Sequence, residues 1–335
     1  MKIDTVLGDV VSAAQQAKDA EAAGYDGLFT AEMGNDPFLP LALAATVTER
    51  IELGTSIAVA FARSPMTVAY TAWDLQRLTQ GRFVLGLGSQ IKTHINRRFD
   101  MPWGKPAAQM RDYVRALQAI WNTWSTGEPL KFESEHYTHT LMTPMFSPPT
   151  HGFGNPQVYI AGVGEAMSRA AGEVADGFIC HTFTTKRWIE EKTLPAIAEG
   201  RARAGKTMEG FTVGAPVFVA TGTDEQITKT VEAIKLQLAF YASTPAYQGV
   251  LDLHGWGEIG PELNVLSKQG KWVEMGGLIT DEILNAFAVI AAPDDLAGAL
   301  NERCRGIVDR IAFYDFLGDP PKDVLAAAAA KVRAG

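Results

Sequence analysis

Cysteine, long apolar runs and net positive charge are all scarce in this chain of 335 residues. Its two cysteines, Cys180 and Cys304, are far apart and form no CxxC pair, which argues against a disulfide framework and a structural zinc site. No apolar run approaches the roughly 18 residues of a membrane span. The formal net charge of −8 argues against general nucleic-acid binding, because that needs a basic surface. We therefore expect a small-molecule partner, with no role for nucleic acid or membrane.

The N-terminus also lacks the pattern of a secretory signal, since MKIDTVLGDVVSAAQQAKDAEAAGYDG becomes amphipathic and acidic too early. Together with the scarcity of cysteine, this predicts a cytoplasmic protein. What the chain does contain is 47% hydrophobic and 20% charged residues, a globular composition with ample material for a core. We expect a single domain over residues 1–335.

Short β-rich runs alternate with amphipathic helical stretches along most of the chain. The β-runs are KIDTVL (2–7), GLFT (27–30), IELGTSIAV (51–59), RFVLGLG (82–88), QVYIAG (157–162), DGFICH (176–181), FTVGAPVFVA (211–220) and VDRIAFYDF (308–316). Such alternation implies an α/β fold with a parallel sheet, and about 250 residues plus insertions is the usual size of a (β/α)8 TIM barrel. A doubly wound sheet stays open as an alternative, but it would leave two or three units unplaced.

Two stretches interrupt the alternation. Residues 125–155 are rich in Pro, His and Thr, and we expect their LKFESEHYTHTLM to form a small hairpin within an insertion. Residues 244–286 contain several Gly and Pro without a clean period, and we expect an irregular segment there.

Gly86 and Gly88 end the fourth β-run, in GRFVLGLGSQ, and two interpretations compete there. A dinucleotide fingerprint needs Gly-x-Gly-x-x-Gly opening a helix, with an acid about 20 residues on. Here Ile91 occupies the third glycine position, and the following KTHINRRFDMPWGKP is polar and interrupted by proline. In a barrel, glycines at this end of a strand let a planar ligand lie against bare backbone, and glycines that only ease a turn are the simpler alternative.

Small and polar residues also follow the carboxyl ends of other β-runs, where barrel active sites are built. They are Glu32, Thr55, Ser56, Ser89, Gln90, Gly162, Val163, Gly164 and His181. In AGVGEAMSRAAG, small residues precede a helix, and the free backbone N–H groups of such a helix start suit a phosphate. An ordinary glycine-rich helix start is the alternative.

The order of these motifs resembles a known family. LGTSIAVAFARSPMTVAYTAWDLQRLTQGRFVLGLGS followed by VYIAGVGEAMSRAAGEVADGF is similar to the bacterial-luciferase-like superfamily, also called the luciferase-like monooxygenase family. The resemblance is strongest to the branch that uses the deazaflavin coenzyme F420, and it extends from Lys2 to about Phe313. It implies an oxidoreductase that moves a hydride between F420 and a small organic substrate. An FMN-dependent monooxygenase is the alternative within the family.

The resemblance also implies where the cofactor binds. The isoalloxazine-type ring is expected at the ends of the third and fourth barrel strands, and the cofactor phosphate at the loop after the fifth. A non-prolyl cis peptide is expected at Ser56–Ile57, and a homodimer or higher homo-oligomer is expected as the assembly. The candidate cofactor-binding residues are Thr55, Ser56, Ile57, Gly86, Gly88, Ser89, Gln90, Ala161, Gly162, Val163, Gly164, Lys92, Arg97 and Arg98. For the three cations, a solvated basic loop is the alternative.

Two positions depart from the family pattern. Members often carry an acid followed by His after the second strand, whereas this chain has Glu32 and Met33 and so offers no imidazole there. Flavin members can carry an Arg after the fourth strand, where Ser89 stands here, which favours deazaflavin over FMN. Glu32 and His181 are the candidate catalytic residues, because a carboxylate or an imidazole can supply a proton. A rim carboxylate bonded to loop amides and a structural histidine are the respective alternatives.

Other chemistries fit the sequence less well. His136, His139 and His151 lie in the insertion with no firm metal-triad spacing, so we expect no metal. A barrel glycosidase would pair Glu32 with Asp315, but the glycine-lined strand ends would then have no purpose. A non-catalytic cofactor carrier stays open, because Met33 replaces the imidazole.

Overall fold

The β-runs of the sequence form parallel strands that close into a barrel in the structure, a computed structural model that describes residues 1–314, 317 and 320–334. The strands are β1 (Lys2–Leu7), β2 (Gly27–Thr30), β3 (Glu52–Thr55), β4 (Ala58–Val59), β5 (Phe83–Gly88), β6 (Phe132–Glu133), β7 (Thr138–His139), β8 (Gln157–Gly162), β9 (Gly177–Cys180), β10 (Thr212–Ala220), β11 (Ala288–Ile290) and β12 (Arg310–Tyr314). The order around the barrel is β1, β2, β3, β5, β8, β9, β10 and β12, and β12 pairs with β1 to close it. The prediction of a (β/α)8 TIM barrel is confirmed.

The remaining four strands decorate this barrel. β4 pairs with the end of β5, and β11 pairs with the end of β10, so both extend the sheet at its carboxyl edge. β6 and β7 pair antiparallel, with Phe132 opposite His139, which confirms the small hairpin expected in the insertion.

Helices follow the barrel strands and cover the outside of the sheet. They are α1 (Ala13–Ala22), α2 (Leu39–Ala45), α3 (Pro65–Leu78), α4 (Lys92–Arg97), α5 (Pro106–Thr126), α6 (Glu165–Val174), α7 (Lys186–Trp188), α8 (Leu194–Arg203), α9 (Asp224–Ala242), α10 (Gln248–His254), α11 (Ile259–Lys268), α12 (Trp272–Gly277), α13 (Asp281–Phe287), α14 (Leu296–Cys304) and α15 (Lys322–Ala334). A π-helical turn (Ile189–Thr193) joins α7 to α8. Among the described residues, none of the helices has the length and apolar character that crossing a membrane requires.

Local sequence signals account for individual helices. At the start of α3 the Ser64 hydroxyl accepts the N–H of Met66 (3.2 Å), and Pro65 occupies the first turn, where its missing N–H costs no hydrogen bond. At the start of α9 the side chains of Thr223 and Gln226 cap each other's backbone N–H.

The segment 244–286 differs from its expected irregular structure, because it contains the four short helices α10 to α13. Each has only six to ten residues, too few for an apolar period to stand out from the sequence. With α9 they bury a second hydrophobic core that includes Leu238, Leu263 and Phe287. This core also includes Phe183, which follows β9, and Phe218, which belongs to β10. The helical layer formed by α9 to α13 therefore covers that side of the barrel's carboxyl end.

The barrel interior is filled at its amino end. Arg310 on β12 makes two hydrogen bonds of 2.7 Å to the Asp4 carboxylate on β1, and its guanidinium lies 4.8 Å from the centre of the Phe29 ring. Phe29, Tyr159 and Ile179 pack together in the next part of the interior. Because side chains fill the barrel rather than leaving a pore, a ligand must bind at an end of it.

A cavity of about 300 Å³ opens at the amino end, lined by Lys2, Glu21, Asp26 and Arg50 among others. Three of these charged side chains, Asp26, Glu21 and Lys2, are already bonded within the protein. The Glu21 carboxylate accepts the N–H groups of Glu49, Arg50 and Ile51, and Lys2 pairs with Glu52. We therefore expect the active site at the carboxyl ends of the strands.

Candidate active site

Glu32 lies two residues beyond the end of β2 and ties that strand to the segment after β3. Its backbone N–H donates to the carbonyl of Ile57 (3.1 Å), and its Oε2 accepts the N–H of Val59 (2.7 Å). The same Oε2 forms an ion pair with Nη1 of Arg63 at 2.6 Å. Among the described residues nothing donates to Oε1, which keeps some exposed surface. One carboxylate oxygen thus belongs to the scaffold, and the other is available to a ligand.

The peptide bond between Ser56 and Ile57 is cis, as predicted, and lies between β3 and β4. Ser56 and Ile57 are partly exposed at this bulge. Thr55 is fully buried, and its hydroxyl donates to the carbonyl of Gly86 (2.7 Å) within the sheet. The structure therefore presents Ser56 and Ile57 to a ligand, but not the side chain of Thr55.

Gly86 and Gly88 are both buried, and the adjacent bulge occupies the space beside them. A methyl group added at Gly86 would lie 1.8 Å from the carbonyl oxygen of Thr55. At Gly88 it would lie 2.7 Å from the side chain of Ile57. These positions therefore need glycine for the close approach of the bulge, and the contact expected between them and a planar ligand stays a prediction. The dinucleotide interpretation fails, because the next helix, α4, has only six residues and follows a polar loop.

The loop after β8 leads directly into α6. Gly164 precedes the helix, no side chain caps it, and a Cβ at Gly164 would meet nothing within 4 Å. The N–H groups of residues 164–166 donate to no acceptor in the part of the chain that the structure describes. The carboxylate of Glu165 instead lies 3.9 Å from Lys192. Open amides at the positive end of a ten-residue helix form a site that favours an anion.

The three candidate cations belong to the segment after β5, which forms the short helix α4 rather than a loop. Lys92 and Arg97 are exposed and form no ion pair with any described residue. Arg98 donates from Nη2 to the carbonyl of Met33 (3.2 Å) and lies 4.8 Å above the Phe99 ring. Because β5 pairs with β8, this cationic segment and the open amides stand at neighbouring strand ends.

His181 directly follows β9 and sits among aromatic side chains. Its backbone N–H donates to the carbonyl of Gly162 (3.1 Å), which joins it to the loop after β8. Its ring centre is 4.8 Å from that of Tyr241 and 4.7 Å from that of Tyr247. Burial lowers the pKa of His181 to about 4, so the imidazole is neutral at physiological pH.

Hydrogen bonds fix the tautomer of this imidazole. The backbone N–H of Phe183 donates to Nδ1 (3.0 Å), so Nδ1 must carry a lone pair and the proton of the neutral ring lies on Nε2. Nε2 is 3.3 Å from the hydroxyl oxygen of Tyr247, which therefore accepts. In this structure His181 is thus a neutral donor to a tyrosine, and its expected role as a proton relay stays a prediction.

Sequence reasoning missed the tyrosines around His181. Tyr241 lies in the last turn of α9, Tyr247 ends the turn Pro245–Tyr247, and Tyr314 ends β12. The hydroxyls of Tyr241 and Tyr314 are 2.8 Å apart. The only signal in the sequence was the density of aromatic residues in FYASTPAY, at the border of the segment without a period.

Two sets of residues thus stand at the carboxyl end of the barrel, the first at the ends of β2, β3, β5 and β8 and the second at and after β9, β10 and β12. We call the first the backbone rim (Glu32, Ser56, Ile57, Ser89, Gln90 and residues 161–164). We call the second the aromatic rim (His181, Phe183, Tyr241, Tyr247 and Tyr314).

The histidines of the insertion do not form a common site in the structure. His136 is bonded through Nδ1 to the Asp112 carboxylate (2.7 Å), and the His151 ring packs 4.1 Å from that of Trp73. No cluster of three His, Cys, Asp or Glu side chains suited to a metal ion occurs among the described residues. Asp315, the proposed glycosidase partner of Glu32, lies outside the described residues.

Comparison with known proteins bears on the family and the fold. The sequence profile of the family described as luciferase-like monooxygenase matches residues 5–310. The chain belongs to this family. It is 52% identical over 313 residues to an uncharacterized protein of Mycobacterium tuberculosis, and this match covers 93% of the present chain and 92% of the relative. It is 26% identical over 313 residues to the 5,10-methylenetetrahydromethanopterin reductase of Archaeoglobus fulgidus, covering 91% and 90% of the two chains.

Solved structures of the family share the fold. The coenzyme F420-dependent tetrahydromethanopterin reductase of Methanopyrus kandleri superposes with a TM-score of 0.79 at 20% identity and covers 98% of this chain and 97% of that one. The resemblance inferred from the motifs is thereby confirmed, and so is the expectation of an oxidoreductase of the luciferase-like family.

Proposed function

We propose that the chain is a coenzyme F420-dependent oxidoreductase that transfers a hydride between the deazaflavin and a small organic substrate. The observation that carries this proposal is the set of unpaired donors on one side of the barrel's carboxyl end. These are the open amides of residues 164–166 and the exposed cations Lys92 and Arg97. An anionic cofactor tail needs such donors, since charge-assisted hydrogen bonds are the strong ones. The F420-dependent relatives support the same choice.

The backbone rim fits a ring as well as a phosphate. Ser56 and Ile57 offer a partly exposed, uncharged surface, and Ser89 and Gln90 offer polar groups beside it. When bound, the deazaflavin supplies or accepts the hydride, so the task of the chain is to place the substrate and exclude water. The helical layer of α9 to α13 helps to exclude water, because it covers the side of the barrel end where the aromatic rim lies.

Glu32 is the candidate for any proton transfer. Its Oε2 is held by Val59 and Arg63, which fixes the carboxylate in position, while Oε1 is left for a ligand or a water. A carboxylate whose orientation is set by its neighbours is suited to act as an acid or base without reorganisation. In contrast, His181 is neutral and already donates to Tyr247.

An FMN-dependent monooxygenase is the second candidate, favoured by the description of the family. Ser89 argues for deazaflavin, because an FMN phosphate would lack an arginine at this position. A non-catalytic cofactor carrier is separated from both by turnover with any substrate. A glycosidase is disfavoured, because the backbone rim offers anion-binding amides that glycoside hydrolysis does not use.

A side-by-side titration tests the proposal. The purified protein is titrated with F420 and with FMN, and binding is followed by the change in cofactor absorption and fluorescence. We expect tighter binding of F420, with an affinity that falls as salt is added, because the tail contacts are ionic. Equal or tighter binding of FMN would overturn the choice of cofactor.

A further inference from the structure

The hydroxyl of Tyr247 has a proton with no acceptor. Its oxygen accepts from Nε2 of His181 at 3.3 Å, in the direction that the Phe183 N–H fixes. Among the described residues nothing accepts the hydrogen of this hydroxyl, and the side chain is only half-buried. A tyrosine hydroxyl that is held by a donor on one side and open on the other presents a single oriented O–H to a ligand.

The position of this hydroxyl is suited to a substrate. His181 is bonded through its backbone to Gly162 of the backbone rim, and Trp188 donates from Nε1 to the carbonyl of Val163 (3.1 Å). The aromatic rim is therefore fastened to the loop assigned to the cofactor phosphate. Tyr247 is thus linked through His181 to the same end of the barrel as the backbone rim.

The described walls around Tyr247 are uncharged. The rings of Tyr241 and Phe183 pack against it, and Phe287 packs behind Phe183 with ring centres 4.6 Å apart. His181 is neutral because burial depresses its pKa, and no charged group among the described residues adds to that shift. A carboxylate or a phosphate brought to these walls would lose its hydration without gaining a counter-charge.

From this geometry we propose that Tyr247 is a substrate-binding residue that donates its hydroxyl proton to the oxygen of an uncharged carbonyl compound, a ketone or an aldehyde. His181 is its positioning residue, because the Nε2–H fixes the direction in which the tyrosine hydroxyl points. The proposal rests on the proposed function in that it names the substrate class for the same site. It adds a specificity: neutral carbonyl compounds bind, and their carboxylate-bearing analogues do not.

A chromophoric aldehyde tests the proposal without turnover. The absorption of 4-dimethylaminocinnamaldehyde moves to longer wavelength when its carbonyl oxygen accepts a hydrogen bond. We expect the wild-type protein to bind this probe and shift its absorption. Tyr247→Phe keeps the ring and removes the donor, so the shift should vanish and the Kd should rise about three- to tenfold, the usual net worth of one hydrogen bond.

Two further variants separate the roles. His181→Asn is too short to reach Tyr247 and should reduce the spectral shift without abolishing it. Tyr70→Phe is the matched control, because it removes a tyrosine hydroxyl that donates to the carbonyl of Phe146, outside the two rims. It should leave probe binding and the spectral shift as in the wild type. Circular dichroism of each variant confirms that it is folded.

Competition tests the charge requirement. We expect 2-pentanone to displace the probe and 4-oxopentanoate, which has the same chain with a carboxylate, to fail. The proposal is overturned if wild type does not shift the probe, if Tyr247→Phe shifts it equally, or if both competitors act alike. F420 binding is measured on the same samples. A probe shift without F420 binding contradicts the proposed function alone, and F420 binding without a probe shift contradicts this inference alone.

Discussion

The backbone rim and the aromatic rim stand at the same end of one barrel, yet they are built in opposite ways. The backbone rim offers amides, a carboxylate and a peptide bulge, held by hydrogen bonds between adjacent strand ends such as Glu32 to Val59. The aromatic rim offers rings and hydroxyls, and two of its tyrosines come from the helical layer rather than from barrel strands.

This difference separates two tasks. A cofactor shared by many enzymes can be held by backbone, because an amide N–H is present whatever the side chain is. A particular substrate needs particular side chains, and these come from a layer that is free to vary without disturbing the barrel. We therefore expect changes on the backbone rim to affect folding and cofactor binding, and changes on the aromatic rim to affect substrate.

The largest effect is expected at Gly86, where the backbone rim depends on close approach of two strands. Gly86→Ala places a methyl 1.8 Å from the Thr55 carbonyl oxygen, so the bulge must shift, and we expect a loss of at least about 3 kcal/mol in the free energy of unfolding. Urea unfolding measures it. Gly164→Ala, whose Cβ meets nothing within 4 Å, is the control and should cost less than about 1 kcal/mol. Equal stability of the two variants would contradict the packing described here.

Glu32 tests whether the backbone rim also carries chemistry. Glu32→Gln keeps the shape and an acceptor for the Val59 N–H but removes the titrating group. We expect turnover to fall about 10²–10⁴-fold with F420 affinity little changed. Arg63→Gln breaks the same ion pair while leaving the carboxylate, and so should cost stability but less turnover. If Glu32→Gln retains full turnover at every pH, Glu32 is only part of the scaffold.

His181 gives the aromatic rim a dependence on pH. Its pKa of about 4 in the folded protein lies below the ordinary 6.5, so the unfolded chain takes up a proton first as the pH falls. The contribution of His181 to stability is therefore complete above pH 6.5 and is lost progressively towards pH 4. Between pH 7 and pH 5 we expect wild type to lose about 2 kcal/mol more than His181→Asn in urea unfolding. The same pH slope in both proteins would show that the imidazole is not buried as described.

The smallest effect is expected at the exposed cations. Lys92→Gln and Arg97→Gln should each weaken F420 binding about two- to fivefold at low salt, and the difference should disappear as salt is raised, because exposed charges are screened. Lys206→Gln removes an exposed lysine from the turn after α8 and serves as the control. A loss that salt does not change would indicate that these side chains act through something other than charge.

The two rims also differ in how many of their residues could be predicted from the sequence. Residues of the backbone rim follow barrel strands that are long or buried enough to be recognised, so Glu32, Ser56 and residues 161–164 could be placed at one edge from strand order alone. Two tyrosines of the aromatic rim were missed because Tyr241 lies in the last turn of α9 and Tyr247 lies in the short Pro245–Tyr247 turn, where no apolar period shows which side chains point at the barrel end.

The sequence by itself determined the barrel and the family and predicted the edge for the candidate site, because alternating β-runs and helices admit few closed arrangements and the loop motifs mark one end of the strands. It also indicated the cis peptide at Ser56–Ile57, through the resemblance. Only the tertiary structure decided that Gly86 is needed for the close approach of the Thr55 carbonyl, that Oε2 of Glu32 is held by Arg63, and that His181 is a neutral donor to Tyr247. Each of these depends on atoms many residues apart in the chain, whose distance and burial no local pattern encodes.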